Sequence, residues 1–475
     1  MVDFSRLLNR NVQLSESERL FRLKRSILIT LGVILFIIVA RVLYIYLNSG
    51  YLIAASNVQG SSLKIVSESS GSIKTITNYS GQTLSLYHGD YIVMLEKGDR
   101  KTTSFVSIVA RKTIKKDMTL SDTMTPELTA AVNPIGFTVD SSNLWFVDAN
   151  DSGYDRLDNL DNLSQVSSNI KFLAVKWVAN GYGIAEAVNG QFYVLDNGSV
   201  TAFESPTPKN ITNFVVDQQH EIYMTSGDTI YYGTPTTGFS VFKQLSYAPS
   251  FIDASGGVVV VGYNPGGGNN QQRAVLSSFI GSQTFTHTGD SIYAASLSPD
   301  GQRLVFTTAQ RSELITPELG LISVLPQANI NNLHWLTNSS LLYSVNSELW
   351  QYDSTDNVSR LILNTTSGKT LDYITAGPTG QIYVAIVASV TNNTDSQIFK
   401  VVANKVVSVA GLFPSIEGSC ILGFSSFSSP TVQIFSPPTF SNCIPVAKAF
   451  ILKNGLAANS FNYKITSVPP DEPIN

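Results

Sequence analysis

Asp148, Asn150 and Ser152, followed by Gly153, place side-chain oxygens at alternate positions ahead of a glycine in the run DANDSGYDRLDNLDN at 148–162. Calcium loops begin this way, with oxygen ligands at positions one, three and five before a sharp turn. Position twelve is Asn159, where such a loop carries a bidentate Glu. The run reads either as a partial calcium site or as a solvated connection between strands, and no other cofactor is raised. Cys420 and Cys443, 22 residues apart in a Ser/Pro-rich segment, form a candidate disulfide, with two buried thiols as the alternative. They are not a Cys-x-x-Cys pair, which disfavours redox catalysis or a cysteine zinc site.

The remaining chemistry-bearing residues are scattered. His88, His220, His287 and His334 have no ligand spacing. The glycine-rich NPGGGNNQQR at 264–273 lacks the Gly-Lys-Ser/Thr ending of a phosphate loop. No Gly-x-Ser-x-Gly elbow occurs, and no catalytic residue is singled out. Charged residues make up 14% of the 475-residue chain, and the net charge is −4. The polar surface is therefore mainly Asn, Ser, Thr and Gln, and no basic footprint for nucleic acid is present.

What positions these residues begins with Ser26–Leu47, an apolar run whose only charge is Arg41. At about 1.5 Å per residue it can cross a hydrocarbon layer of about 30 Å. Arg19, Arg22, Lys24 and Arg25 precede it, and the next basic residue after Arg41 is Lys64. The positive-inside rule then predicts residues 1–25 in the cytoplasm and everything beyond the span outside the cell membrane. A signal peptide cleaved near Ala54–Ala55 is the alternative.

Residues 62–113 alternate apolar and polar residues between Gly, Asn and Asp turns, which predicts a small antiparallel β-sandwich. Leu84, Leu86, Gly89, Tyr91, Val93 and Val106, in TLSLYHGDYIVMLEKGDRKTTSFVSIVA, resemble the strand pattern of the bacterial PEGA domain. That resemblance implies a cell-surface spacer or adhesive unit. Residues 114–131 lack strand periodicity and are expected to be a linker.

From 132 to 475 one unit recurs: an apolar strand, a tight turn and a second apolar strand. Its turn positions fall at Ser142, Gly181, His220, Gly256, Gly301, Ser339, Gly380 and Gly418. A spacing near 40 residues without helical periodicity predicts a β-propeller, each unit being one four-stranded blade. Eight blades are counted, with seven as the alternative if a terminal unit is a cap. SLSPDGQRLVF, with Ser298–Gly301 as its turn, resembles the repeat of TolB-like and WD40-like propellers.

The expected fold is thus mainly β: a transmembrane helix, a small sandwich and a propeller. The expected function is a single-pass membrane-anchored surface protein displaying the propeller as a non-catalytic binding or scaffold module. Its expected partners are the membrane, through residues 26–47, and a protein or envelope glycan. An extracytoplasmic hydrolase or lyase in the propeller channel and a purely structural surface spacer are the alternatives. Carboxylates or histidines gathered at one channel mouth favour the enzyme.

Overall fold

Side chains from 24 to 47 are all exposed on one continuous helix, α1 (Glu16–Asn48). In the computed structural model, the described residues are 16–403 and 415–467, apart from 131, 141, 159–162, 167–168, 179–180, 265–273, 290–291, 309, 328–329, 366–368, 378–380, 389–395, 418–419, 425–430, 437–442 and 454–461. Lys24–Asn48 is long and apolar enough to cross a membrane, and none of it is covered by protein. The helix passes into a strand without a linker. The next elements are β1 (Ser49–Ala55), β2 (Ser61–Ser67), β3 (Ile73–Tyr79), β4 (Leu84–Tyr87), β5 (Gly89–Lys97), β6 (Arg100–Ile108), β7 (Thr113–Asp117) and β8 (Met124–Ala130).

The first seven strands form a sandwich of two sheets, β4-β1-β7 and β6-β5-β2-β3. Alternation in β2 turns Leu63 and Ile65 inward, where they pack with Leu52, Val93, Leu95 and Val106. Tyr79 is buried in this core, and its hydroxyl accepts from the Ala54 N–H and donates to the Gln82 carbonyl. The sandwich extends beyond the expected 62–113. Its first strand, YLIAA, has no period-two pattern because it continues the apolar run of the span.

Beyond β8, the four-stranded sheets spanning 134–165, 172–202, 213–244, 251–289, 294–324 and 331–364 are antiparallel meanders. A seventh, 369–403, supplies three strands, and β8 pairs alongside Ser396–Ala403 as its fourth. The first strands neighbour one another in chain order, and Lys369–Ala376 returns onto Pro134–Val139. An apolar core lies between each adjacent pair of sheets. The last joins Ala385 and Ile398 of the seventh sheet to Phe137, Val139 and Phe146 of the first. This arrangement is a β-propeller; its sheets among the described residues are called blades here and numbered in chain order.

The segment 114–131, expected as a linker, therefore holds β7 and β8. Only a partner about 270 residues away makes β8 a strand, so no local pattern announces it. The eighth repeat, expected near 412, differs from the blades. Ser415–Glu417 and Cys420–Phe424 belong to a separate sheet that contains a parallel pair, Thr431–Ser436 with Asn462–Ser467, and packs near the helix Ile444–Lys453. The turn positions Gly380 and Gly418 lie outside the described residues.

The module and the propeller share a sheet. β6 pairs with the outer strand of blade 6, Val358–Asn364, in the register Ser104↔Val358, Thr103↔Ser359 and Thr102↔Arg360. One eight-stranded sheet thus runs from the propeller interior to β3.

The turn Ser298–Gly301 shows what the repeat does. Asp300 accepts from the Ser298 hydroxyl and the Gln302 N–H, which closes the turn. Gly301 has φ +67°, and a Cβ there would lie 2.5 Å from the Ser255 carbonyl of blade 4. On its other side, Arg303 donates to the Asn338 carbonyl and the Ser354 hydroxyl of blade 6. The turn thus fastens three successive blades.

Candidate functional site

In a meander whose first strand is innermost, two sets of connections fall at the same rim: those from second to third strand, and those from one blade to the next. Among the described residues, this rim carries 149–154, 188–191 and 203–212. The other rim carries the first-to-second turns, among them Ser298–Gly301.

The polar groups of those first-to-second turns are occupied within their own blade or against a neighbouring one. Asp140 accepts from the N–H groups of Ser142 and Asn143 and from the Trp145 indole, at 2.6, 2.7 and 2.7 Å. Burial pushes its pKa up, but these hydrogen bonds outweigh that and hold it below the ordinary value. His220 has φ +64° and stacks on Tyr182 of the preceding blade, with ring centroids 3.8 Å apart and planes within 6°.

The axis is lined by the first strands. Lys176, Val215, Ser296 and His334 each stand five residues before their turn positions, Gly181, His220, Gly301 and Ser339. Asp253, in Phe251–Ser255, accepts from the Leu297 N–H of the next blade at 2.8 Å, from the Ala254 N–H at 3.0 Å and from the Ser296 hydroxyl. Burial drives its pKa up to about 6, against the pull of those donors and of the Lys176 charge. Burial lowers the His334 pKa to about 4, so that imidazole is neutral at physiological pH. The Asp253 carboxylate is engaged in joining blades 4 and 5, which makes it a poor general base. Sequence reading did not single out Lys176 or Asp253, although a charge inside an otherwise apolar first strand is visible in AVKWV and FIDAS.

Over blade 2 the first rim is different. Leu173 and Val188 are 62% and 63% exposed, and the Val188 N–H bonds the Lys171 carbonyl, which sets the two side by side. Next to them lies a polar cleft of about 460 Å³, lined by Asn189, Gln191, Phe203, Glu204, Ser205 and Thr207. Further around the rim, Tyr293 is 59% exposed just before the first strand of blade 5. Adjacent apolar and hydrogen-bonding surface of this kind suits a peptide, whose backbone and side chains need both.

Asp148, Asn150 and Ser152 lie on this same rim, at the end of Asn143–Asp148 and in the turn that follows. The loop bonds to itself: Asp148 accepts from the Asn150 N–H at 2.9 Å, and Asp151 accepts from the Ser152 N–H at 2.7 Å. Burial, then the charges of Asp151 and Asp148, raises the Asp155 pKa to about 6. Among the described residues, no group of three or more His, Cys, Asp or Glu is placed to hold a metal. Asn159 and 265–273 lie outside the described residues. Of the other histidines, His88 is at the base of the module beside the end of α1, and His287 packs 5.5 Å from the Phe306 ring. Cys443 is disulfide-bonded, and the chain has one other cysteine, Cys420.

No family model and no curated protein matches the chain. Among solved structures, it is similar to one described as a streptogramin B lyase structure, at 15% identity over 59% of this chain and 98% of that chain, with a TM-score of 0.44. It is also similar to YCF48 bound to D1 peptide, at 12% identity over 60% and 96% of the two chains, with a TM-score of 0.42.

Proposed function

We propose that the chain is a single-pass membrane protein, with its N-terminus in the cytoplasm, that presents a seven-bladed propeller outside the cell as a binding module for a protein partner. The observation that carries this reading is the exposed Leu173–Val188 pair beside the polar cleft of blade 2. Large apolar side chains left in water next to a polar cleft mark a surface that another molecule covers. On the opposite rim Asp140 and Asp300 are already hydrogen-bonded, and Asp253 at the axis is likewise engaged, so binding is favoured over catalysis.

Two further features support the setting. The basic residues ahead of α1 favour an inward N-terminus, and the resemblance of 62–113 to the PEGA domain fits a cell surface. A disulfide-bonded Cys443 fits an oxidising compartment.

The test is capture from envelope extracts by the immobilised full-length protein in mild detergent. Wild type retains a protein that the Leu173→Asp and Val188→Asp variants lose, while Gln219→Asp on the opposite rim retains it. Capture that is absent, or equal for all four proteins, overturns the reading.

A further inference from the structure

The end of α1 is locked into the sandwich. The Asn48 carbonyl accepts from the His88 N–H at 2.8 Å, and the Ser49 carbonyl accepts from the Arg111 N–H at 2.7 Å. Loops 87–89 and 109–112 must therefore sit at the level where a membrane-spanning α1 leaves the bilayer. Tyr44 and Tyr46 are 63% and 61% exposed on its last turns, where an aromatic belt meets the headgroups. Val109 and Tyr87, at 46% and 50%, are exposed from the adjoining loops.

At this junction is a cavity of about 330 Å³, lined by Ile45, Ser49, Ser72, Lys74, Ser85 and Tyr87 among others. Lys74 lies on β3, the outer edge of its sheet, in register with the buried Ile65. Its side chain therefore leaves the strand on the core-facing side, beyond the end of the β4-β1-β7 sheet. An inward-facing charge on an edge strand discourages pairing with another chain, but it also puts an ammonium group against the cavity. No carboxylate lies within ion-pair distance of Lys74 among the described residues. The Ser70 hydroxyl donates to that of Ser72, and the Tyr91 hydroxyl donates to the Tyr87 carbonyl, which fixes the walls. The guanidinium of Arg111 stands 5.9 Å from the Tyr46 ring centroid, a second cation at the same depth.

We infer that this cavity binds the headgroup phosphate of one anionic lipid of the outer leaflet, with its acyl chains running down α1 past Ile45. The inference rests on reading α1 as a membrane span. Lys74 faces the phosphate, and the Ser72 and Ser85 hydroxyls donate to its oxygens. The volume, at the small end of ligand sites, suits a headgroup with its tails left outside. Bound in this way, the lipid fixes the tilt of the module on the membrane.

The test uses the full chain in mild detergent with added phosphatidylglycerol or phosphatidylcholine, lipid retention being read by native mass spectrometry. Wild type is expected to retain one phosphatidylglycerol in preference to phosphatidylcholine. Lys74→Gln is expected to lower that occupancy about fivefold, near what one surface cation contributes to anionic-lipid binding, and Lys74→Arg to restore most of it. Equal retention of both lipids, or by wild type and Lys74→Gln, overturns the site. Displacement of the lipid by excess inorganic phosphate overturns the choice of a lipid as the source. Alkaline extraction of membranes separates the two readings: wild type and Lys74→Gln both resist it if α1 spans. Release of wild type removes the anchor and the lipid site together.

Discussion

The hydroxyl of Ser104 donates to the carbonyl of Asn357 at 2.7 Å, across the seam between the N-terminal module and blade 6. Around it, Thr102, Thr103, Ser104 and Ser359 are fully buried, and Lys101 pairs with Glu348 at 2.6 Å. Gln327 donates to the Thr103 hydroxyl at 2.7 Å. Burying this many hydroxyls is tolerable only when they are hydrogen-bonded, and each of the four has a partner within the protein. Since β8 then leaves the module to complete blade 7, the module and the propeller are expected to unfold together.

A fragment beginning at residue 132 lacks β8 and leaves an unpaired edge on Ser396–Ala403. It is expected to melt about 3–5 °C below a chain beginning at 49, or to aggregate, a difference of about 2–4 kcal/mol on a body of this size. Differential scanning calorimetry compares the two; equal melting temperatures contradict the role given to β8.

Gly301→Ala tests the inter-blade turn. The positive φ costs about 1–2 kcal/mol, and displacing the Ser255 carbonyl adds a further 1–3 kcal/mol or so. Gly257, with φ +76° and nothing within 4 Å of its virtual Cβ, has only the first term. Urea unfolding is expected to show Gly301→Ala as clearly the more destabilised of the two. Equal losses mean that the close approach of blades 4 and 5 is absent.

The channel carboxylate predicts a pH dependence. Asp253 is raised from 3.8 to about 6, so between those values the native state holds a proton that the unfolded chain has released. Stability from this group is highest below about 4, falls as pH rises to about 6 and is then level, a change of at most about 3 kcal/mol. His334 acts in the opposite direction. Its native pKa near 4 lies below the ordinary 6.5, so stability is lost as pH falls through that window. The difference between wild type and Asp253→Asn isolates the carboxylate, and it is expected to shrink by that amount between pH 4 and 6. A pH-independent difference contradicts its burial.

Much of the propeller is legible in the sequence because each blade repeats the same local signals. The turn at Pro299–Gly301 and the alternating third strands QFYVLD, TIYYG and ELWQYD are short-range patterns, and they form the third strands of blades 2, 3 and 6. What the pattern hides is long-range. β8, MTPELTA, has a proline and three threonine or glutamate positions and becomes a strand only beside residues 396–403. β1 merges with the apolar helix because sequence hydropathy does not mark where the helix ends. The C-terminal unit near 412 has the apolar composition of a blade but a parallel strand pair. The site was less legible still. Leu173 and Val188 look like ordinary strand residues until the meander places them at one rim. Asp253 and His334 acquire their pKa shifts only from the ring that encloses them.

The most direct test of a propeller fixed to its N-terminal module is a distance measured across the seam. Spin labels at Thr75→Cys on β3 and Thr201→Cys on the outer strand of blade 2, both exposed positions, report the module and the propeller separately. Double electron–electron resonance on the full chain in lipid nanodiscs is expected to give one narrow distance, unchanged by added lipid. A broad or multiple distribution, with both labelled proteins folded, contradicts a continuous β6–blade 6 sheet and the fixed presentation of the rim that depends on it.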